Sequence, residues 1–203
     1  MTTLTTIAQL EAIYGTPNAA STVKELPALN AEYRAYVEAS PFCALATVGP
    51  EGLDCSPRGD AGHVVRILDD RTLALPDRRG NNRVDSLRNI VRDPRVSLML
   101  MIPGSDTVLR INGRAELRTD VDLLETFIMQ GKLPRCVIVV TIETVYFQCA
   151  RAMMRAQVWN PDTFVDPATL PTAGQMLAAA SAGSVGGETY DREWPDRAKA
   201  SMW

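Results

Sequence analysis

Apolar positions in the middle of this chain come in short runs separated by turn residues, and this pattern predicts strands. Phe42–Val48 is apolar, Gly49-Pro50-Glu51-Gly52 is a turn, and Leu53–Arg58 returns, so the pair is expected to be a hairpin. His63–Leu68, turned by Asp69-Asp70-Arg71 into Thr72–Leu75, forms the pattern of a second hairpin. Arg95–Ile102 is a long apolar strand. The turn Pro103-Gly104-Ser105-Asp106 leads into the alternating Thr107–Leu117, which carries Asn112-Gly113, and Cys136–Phe147 is a further strand. Six or seven short strands at hairpin spacing predict an antiparallel barrel or sandwich, and closure would remove the exposed edges.

Helical spacing is confined to the flanks and to a few connections. Thr6 with Gln9 has the form of a capping box opening a helix that stops at Gly15. Leu29, Tyr33, Tyr36 and Val37 recur at helical spacing up to Ser40-Pro41. Arg83–Arg92 is expected to be helical, ending before Asp93-Pro94. Asp120 is expected to cap a helix reaching Gln130-Gly131, and Ala150–Val158 to be helical after the last strand. Beyond Trp159 come loops, a short Ala-rich helix over Met176–Ala182, and a polar helix candidate over Tyr190–Trp203. The expected organisation is a helical extension over 1–40, a barrel over 41–160, and a helical tail over 161–203 that packs on the barrel or on a second subunit.

Composition narrows the classes. A net charge of −3 and a pI near 5.3 argue against a general nucleic-acid binder. No run of 18 apolar residues predicts a membrane span. The first residues lack a basic segment and are expected to form a helix, not a signal peptide. The four cysteines, Cys43, Cys55, Cys136 and Cys149, have no metal-site spacing, and three lie in apolar strand-like runs that predict buried, reduced thiols. A cytoplasmic location is the expectation that follows.

Candidate chemistry concentrates at LPDRRGNNR, residues 75–83, where a strand pattern runs into a helix pattern. A helix start offers unpaired N–H groups and partial positive charge, and arginine adds a fork of donors suited to phosphate oxygens. The junction is therefore expected to hold a small anion, with a phosphate monoester the best match. Arg58, Arg66, Arg78, Arg79 and Arg83 fall within 26 residues and could converge there. Gly80 permits close backbone approach, and Asn81 and Asn82 are expected to help cap the helix. A second constellation is Arg151, Arg155 and Trp159, spaced i, i+4, i+8, which on one helix face could meet an anionic aromatic ligand. The bland alternative is a surface stripe. His63 is the only histidine, and a structural role is expected for it. Asp69-Asp70 suits a solvated turn, and Met99, Met101, Met153 and Met154 suit core filling.

The segments FCALATVGPEGLDCSPRGD, VVRILDDRTLALPDRRGNNRVDSLRNIVRDPRVSLMLMIPG and TVLRINGRAEL together resemble the pyridoxamine 5′-phosphate oxidase superfamily. More narrowly they resemble its bacterial FMN-binding branch, with SPRGD, PDRxGNNR and LRxNGRA in that order. The resemblance spans roughly Thr5 to Pro161 and extends to CARAMMRAQVW. It implies a mainly β (α+β) fold, a six-stranded antiparallel split β-barrel with peripheral helices. It also implies a homodimer with FMN at the subunit interface. By the same resemblance, Arg58 and Arg66 on the strand side and Asn81, Asn82 and Arg83 at the helix start would hold the FMN phosphate. Ser-Arg-Lys of the oxidases is Asn81-Asn82-Arg83 here, so one cation is missing, and Arg78 or Arg79 is the expected substitute. Leu75, Pro76 and Asp77 match the strand end facing the flavin ring, and Thr107 replaces a glutamine contact. The oxidases' Arg-x-His substrate clamp is not reproduced, although Arg155 and Trp159 could play a similar part. The resemblance thus implies an FMN-dependent oxidoreductase acting on an unassigned small molecule. The alternatives are a flavin-binding sensor without turnover, or a barrel that binds deazaflavin F420 or haem.

Overall fold

The computed structural model describes residues 3–203. Its centre is one antiparallel sheet. The strands are β1 (Phe42–Gly49), β2 (Gly52–Gly59), β3 (Arg66–Asp69), β4 (Thr72–Pro76), β5 (Arg95–Met101), β6 (Val108–Arg118) and β7 (Val137–Gln148). They lie in the order β2-β1-β5-β6-β7-β4-β3. The mainly β fold with peripheral helices is as expected, but the sheet has seven strands, not six. β3 pairs in short register with β4 (Arg66 opposite Ala74) and forms an edge.

Alternation explains how the sheet closes over its core. Cys43 and Leu45 of β1, Leu73 and Leu75 of β4, Leu98 and Leu100 of β5, and Ile138 and Val140 of β7 share one buried cluster. Strands from both halves of the order therefore face one another, and the sheet curls on itself. β2 and β3 are not paired with each other, so the barrel is split between them. The β6–β7 ladder carries a bulge at Asn112/Gly113. A side chain at 113 would meet the Thr141 carbonyl oxygen at 2.1 Å, so glycine is required there by close backbone approach.

The helices are α1 (Ile7–Tyr14), α2 (Ala19–Thr22), α3 (Ala31–Ala39), α4 (Asp85–Arg92), α5 (Val121–Glu125), α6 (Arg151–Ala156), α7 (Ala173–Ala180) and α8 (Gly187–Ala200). The Thr6/Gln9 capping box is present and α1 ends at Gly15. α3 starts where Asn30 Oδ1 accepts from the Tyr33 amide at 2.8 Å, and it buries Tyr33 and Val37 in the core. α4 leans on β1, where buried Asn89 donates from Nδ2 to Thr47 Oγ1 at 3.1 Å. α5 is far shorter than expected. The Asp120 side chain does not cap it but receives Arg118 Nε at 2.6 Å.

The tail over 161–203 holds α7 against α8. Asp191 accepts from the Gly174 amide and from the Thr172 hydroxyl. Beyond α8, the Trp203 indole lies on the Arg78 guanidinium, 5.4 Å from its centre. The thiol expectation holds for Cys43 and Cys136, which are buried, whereas Cys149, just past β7, is exposed. The methionines are not all core: Met99 and Met154 are exposed.

Candidate functional site

β2 ends, β4 ends and α4 begins around one cleft of about 520 Å³. Asp54, Ser56 and Arg58 of β2 form one wall, and residues 77–87 form another. Arg135 and Cys136, at the entry to β7, complete it. The convergence follows from topology. Pro76 pairs with Val137, so the residues just after β4 and just before β7 emerge together. The curl of the sheet brings edge strand β2 to the same place.

The loop from β4 to α4 is unusual in its backbone. Asn82 and Val84 have φ of 62° and 53°. Left-handed conformation is strained for a β-branched residue, and such strain concentrates at ligand sites. Val84 occupies the position preceding α4 and provides no side-chain cap. The amides of the first turn, at Asp85, Ser86 and Leu87, therefore lack a side-chain cap where those residues line the cleft. The asparagines do not cap the helix as expected. Asn81 Oδ1 accepts from the Arg83 amide at 3.1 Å, and Asn82 Oδ1 accepts from Arg135 Nη1 at 2.9 Å.

The arginines divide into distinct roles. Arg58 donates from Nη1 to Asp77 Oδ1 at 2.8 Å and spans the cleft floor between β2 and the end of β4. Its Nε is buried without a partner, which is costly for a charged donor and marks a place where an acceptor is wanted. Arg78, one of the two expected substitutes for the missing cation, is committed elsewhere. Its Nε and Nη2 hold Asp60 at 2.9 and 2.7 Å, and its Nη1 donates to the Phe127 carbonyl at 2.7 Å. Arg66 does not line the cleft; its guanidinium stacks on the Phe127 ring at 4.6 Å. Arg83 lines it from the outer edge, 74% exposed, and pairs with Asp85 at 2.8 Å. Arg79 and Arg135 line it and have no carboxylate partner among the described residues.

Pro76 is buried behind the cleft, and the Asp77 amide is already bonded to the Cys136 carbonyl at 2.9 Å. Burial, aided by the Asp77 charge and opposed by Arg58, pushes the Cys136 thiol up to about 11. It is a neutral thiol near pH 7, not a nucleophile. Ser86 donates to Asp54 at 2.7 Å and stands 3.0 Å from Ser56, so the β2 wall is a hydrogen-bonded polar network.

Arg155 and Trp159 do not reach this cleft within one chain. α6 ends at Ala156, and Gln157 turns left-handed with φ of 50°, so Trp159 leaves the line of Arg151 and Arg155. The Trp159 indole N–H donates to the Ser105 carbonyl at 2.8 Å, on the β5–β6 turn. His63 and Thr107 also lie outside the cleft. Arg135, missing from the expected set, is the addition. Its only sequence signal is a cation directly before an apolar strand, which acquires meaning once β7 is paired with β4. Among the described residues, no cluster of three or more His, Cys, Asp or Glu could hold a metal.

The fold is a split antiparallel barrel with an arginine-lined cleft at an uncapped helix start. The chain belongs to the pyridoxamine 5′-phosphate oxidase family, whose model matches residues 29–149. No curated protein shows significant similarity to it. Among solved structures, it is similar to HupZ of Group A Streptococcus, with 17% identity and a TM-score of 0.48 over 59% of this chain and 93% of that one. It is similar to a candidate pyridoxamine 5′-phosphate oxidase of Lactobacillus delbrueckii, with 24% identity and a TM-score of 0.49 over 61% and 98%. An FMN-binding protein of Syntrophomonas wolfei matches at 13% identity and a TM-score of 0.43, over 57% and 88%. The family assignment rests on the match over residues 29–149. Among the described residues, no helix is long and apolar enough to cross a membrane.

Proposed function

We propose that this chain is a flavin-dependent oxidoreductase that holds FMN, with its phosphate in the cleft at the start of α4. The observation that carries this reading is the buried, unpartnered Arg58 Nε beside an uncapped helix start. Together they offer fixed donors to an acceptor bearing several oxygens, and this fits a phosphate. Arg79, Arg83 and Arg135 would add charge from the rim, and Arg58 would approach from the floor. Asn81 and Asn82 would act by shaping the loop, and Pro76 and Asp77 would form the wall behind the ring. When bound, FMN would supply the hydride and electron transfer, as cofactors of this class do. The chain's own part is to bind, to orient and to exclude water. Cys136, held as a thiol, gives the cleft a neutral sulfur rather than a thiolate.

A homodimer accompanies this reading. The outward face of β2-β1-β5 is apolar: Phe42, Ala44 and Val48 stand beside Pro57, Leu53, Met99 and Met101 in paired register. Leu53 is 87% exposed and Met99 is 39% exposed, and a second copy would cover such a patch. Across that interface Arg155 and Trp159 of one copy would approach the flavin of the other. The substrate would be a small molecule, and the polar β2 wall is where it would be oriented.

Calorimetric titration with FMN and riboflavin tests the proposal. FMN should bind at least tenfold more tightly, with one site per subunit. Equal affinity for the two would remove the phosphate from this cleft, because riboflavin has none.

A further inference from the structure

A smaller pocket of about 270 Å³ opens beside the main cleft. It shares Asp77, Arg78, Arg79 and Arg135 with the cleft and adds Lys132, Leu133, Pro134 and Trp203. The two spaces are therefore contiguous, with Arg79 and Arg135 on the boundary. We propose that this pocket is a second ligand subsite, which takes a planar aromatic carboxylate next to whatever occupies the main cleft.

Three observations converge on that chemistry. The first is charge. Arg79, Lys132 and Arg135 have no carboxylate partner among the described residues, and the pocket's single aspartate, Asp77, is engaged by Arg58. Three cations without a side-chain carboxylate partner thus line one small space, Arg135 held there by Asn82 at 2.9 Å, in a chain whose net charge is −3. The second is the indole. Trp203 lies on Arg78, whose guanidinium is fixed by Asp60 and the Phe127 carbonyl. A fixed cation behind one part of an aromatic wall holds that wall in place. The third is size. Ligand pockets for drug-sized molecules run to about 300–1,000 Å³, so this one suits a single ring. An indole beside Arg79 and Lys132 selects a flat anion over a tetrahedral one, because stacking needs a π face.

The subsite shares Arg79 and Arg135 with the phosphate cradle, but Lys132 and Trp203 line the smaller pocket alone, so variants of those two separate the two proposals. The probe is 4-nitrobenzoate, a flat anion that quenches indole fluorescence, compared with neutral 4-nitrobenzamide and with inorganic phosphate. Titrations are run on flavin-free protein and on protein saturated with FMN. Saturable quenching by 4-nitrobenzoate is expected in both, with 4-nitrobenzamide at least tenfold weaker and no competition by phosphate at equal concentration. Trp203→Ala should weaken 4-nitrobenzoate at least tenfold by calorimetry, and Trp203→Phe less than threefold. Lys132→Gln should weaken it severalfold in a chain that keeps Trp203, which covers the case in which Trp203→Ala fails to fold. Equal binding of acid and amide would overturn the proposal. So would unchanged affinity in both Trp203→Ala and Lys132→Gln, or loss of binding on FMN saturation. If the protein retains no flavin yet still binds 4-nitrobenzoate through Trp203, the subsite stands and the flavin reading falls. If Trp203→Ala keeps FMN affinity but no variant alters 4-nitrobenzoate binding, the reverse holds.

Discussion

Arg78 closes the split of the barrel by holding Asp60 through two nitrogens, at 2.9 and 2.7 Å. The pair is nearly buried, with side chains 14% and 6% exposed, and it joins the residue after β2 to the loop after β4. Removing one partner of such a pair leaves an uncompensated buried charge and typically costs about 3–5 kcal/mol. Arg78→Ala should therefore lower unfolding stability by about 3 kcal/mol, and Asp60→Asn by a smaller amount in the same direction. Chemical denaturation checks this. A neutral effect of Arg78→Ala would show that the arginine is held for a ligand rather than for the fold.

The rim cations should act on the ligand and leave the fold alone. A charge-assisted hydrogen bond contributes roughly 1.5–3 kcal/mol, so Arg83→Ala and Arg135→Ala should each weaken FMN binding by about one to two orders of magnitude. Riboflavin affinity should not change in either variant. An unaltered FMN affinity in Arg83→Ala would leave the phosphate to Arg58, Arg79 and Arg135.

Buried thiols make stability fall at alkaline pH. Burial pushes Cys43 up to about 12 and Cys136 up to about 11, against 9.0 for an unperturbed thiol. The folded chain keeps these protons while the unfolded chain releases them. Their contribution is therefore complete below pH 9 and is lost as pH rises toward 11–12. Denaturation midpoints at pH 8, 10 and 11 should show a shallower decline in Cys136→Ala than in the parent chain. Under native conditions at pH 8, iodoacetamide should label exposed Cys55 and Cys149 and spare the other two.

Gly113→Ala should be among the most damaging single-methyl changes. Its Cβ would sit 2.1 Å from a backbone oxygen on β7, which has no rotamer by which to move away. Overpacking at such a site costs about 1–3 kcal/mol or more. Thermal unfolding should show a large drop in Tm, and an unchanged Tm would mean that the bulge can migrate.

Trp159→Ala should lower Tm, because the indole ties the segment after α6 to the β5–β6 turn through Ser105. A lost hydrogen bond that strands its acceptor costs about 1–3 kcal/mol. The preference for FMN over riboflavin should persist. A shifted absorption spectrum of the bound flavin, with Tm unchanged, would instead place this indole at the partner's site.

Local sequence was enough for whatever depends on neighbours within a turn or a hairpin. The apolar run Phe42–Val48 and the returning Leu53–Arg58, with the turn Gly49-Pro50-Glu51-Gly52 between, specify β1 and β2 because a hairpin's two strands and its turn lie within one short stretch. The Thr6/Gln9 box was legible because both partners lie within four residues. The junction at 75–83 was legible as a place where chemistry concentrates because its glycine, asparagines and arginines are consecutive, and residues 77–83 do line the cleft. Tertiary structure decided which arginine does what. Arg78 is claimed by Asp60 and Phe127, 18 and 49 residues away, and Arg66 is claimed by the Phe127 ring. Arg135 reaches Asn82 across 53 residues because β7 pairs with β4. The line of Arg151, Arg155 and Trp159 was broken by one left-handed residue, Gln157, whose conformation no periodicity encodes. Ion pairs form wherever sheet closure brings charges within a few ångströms, and that distance is set by the whole ladder of strand registers, not by any local stretch of residues.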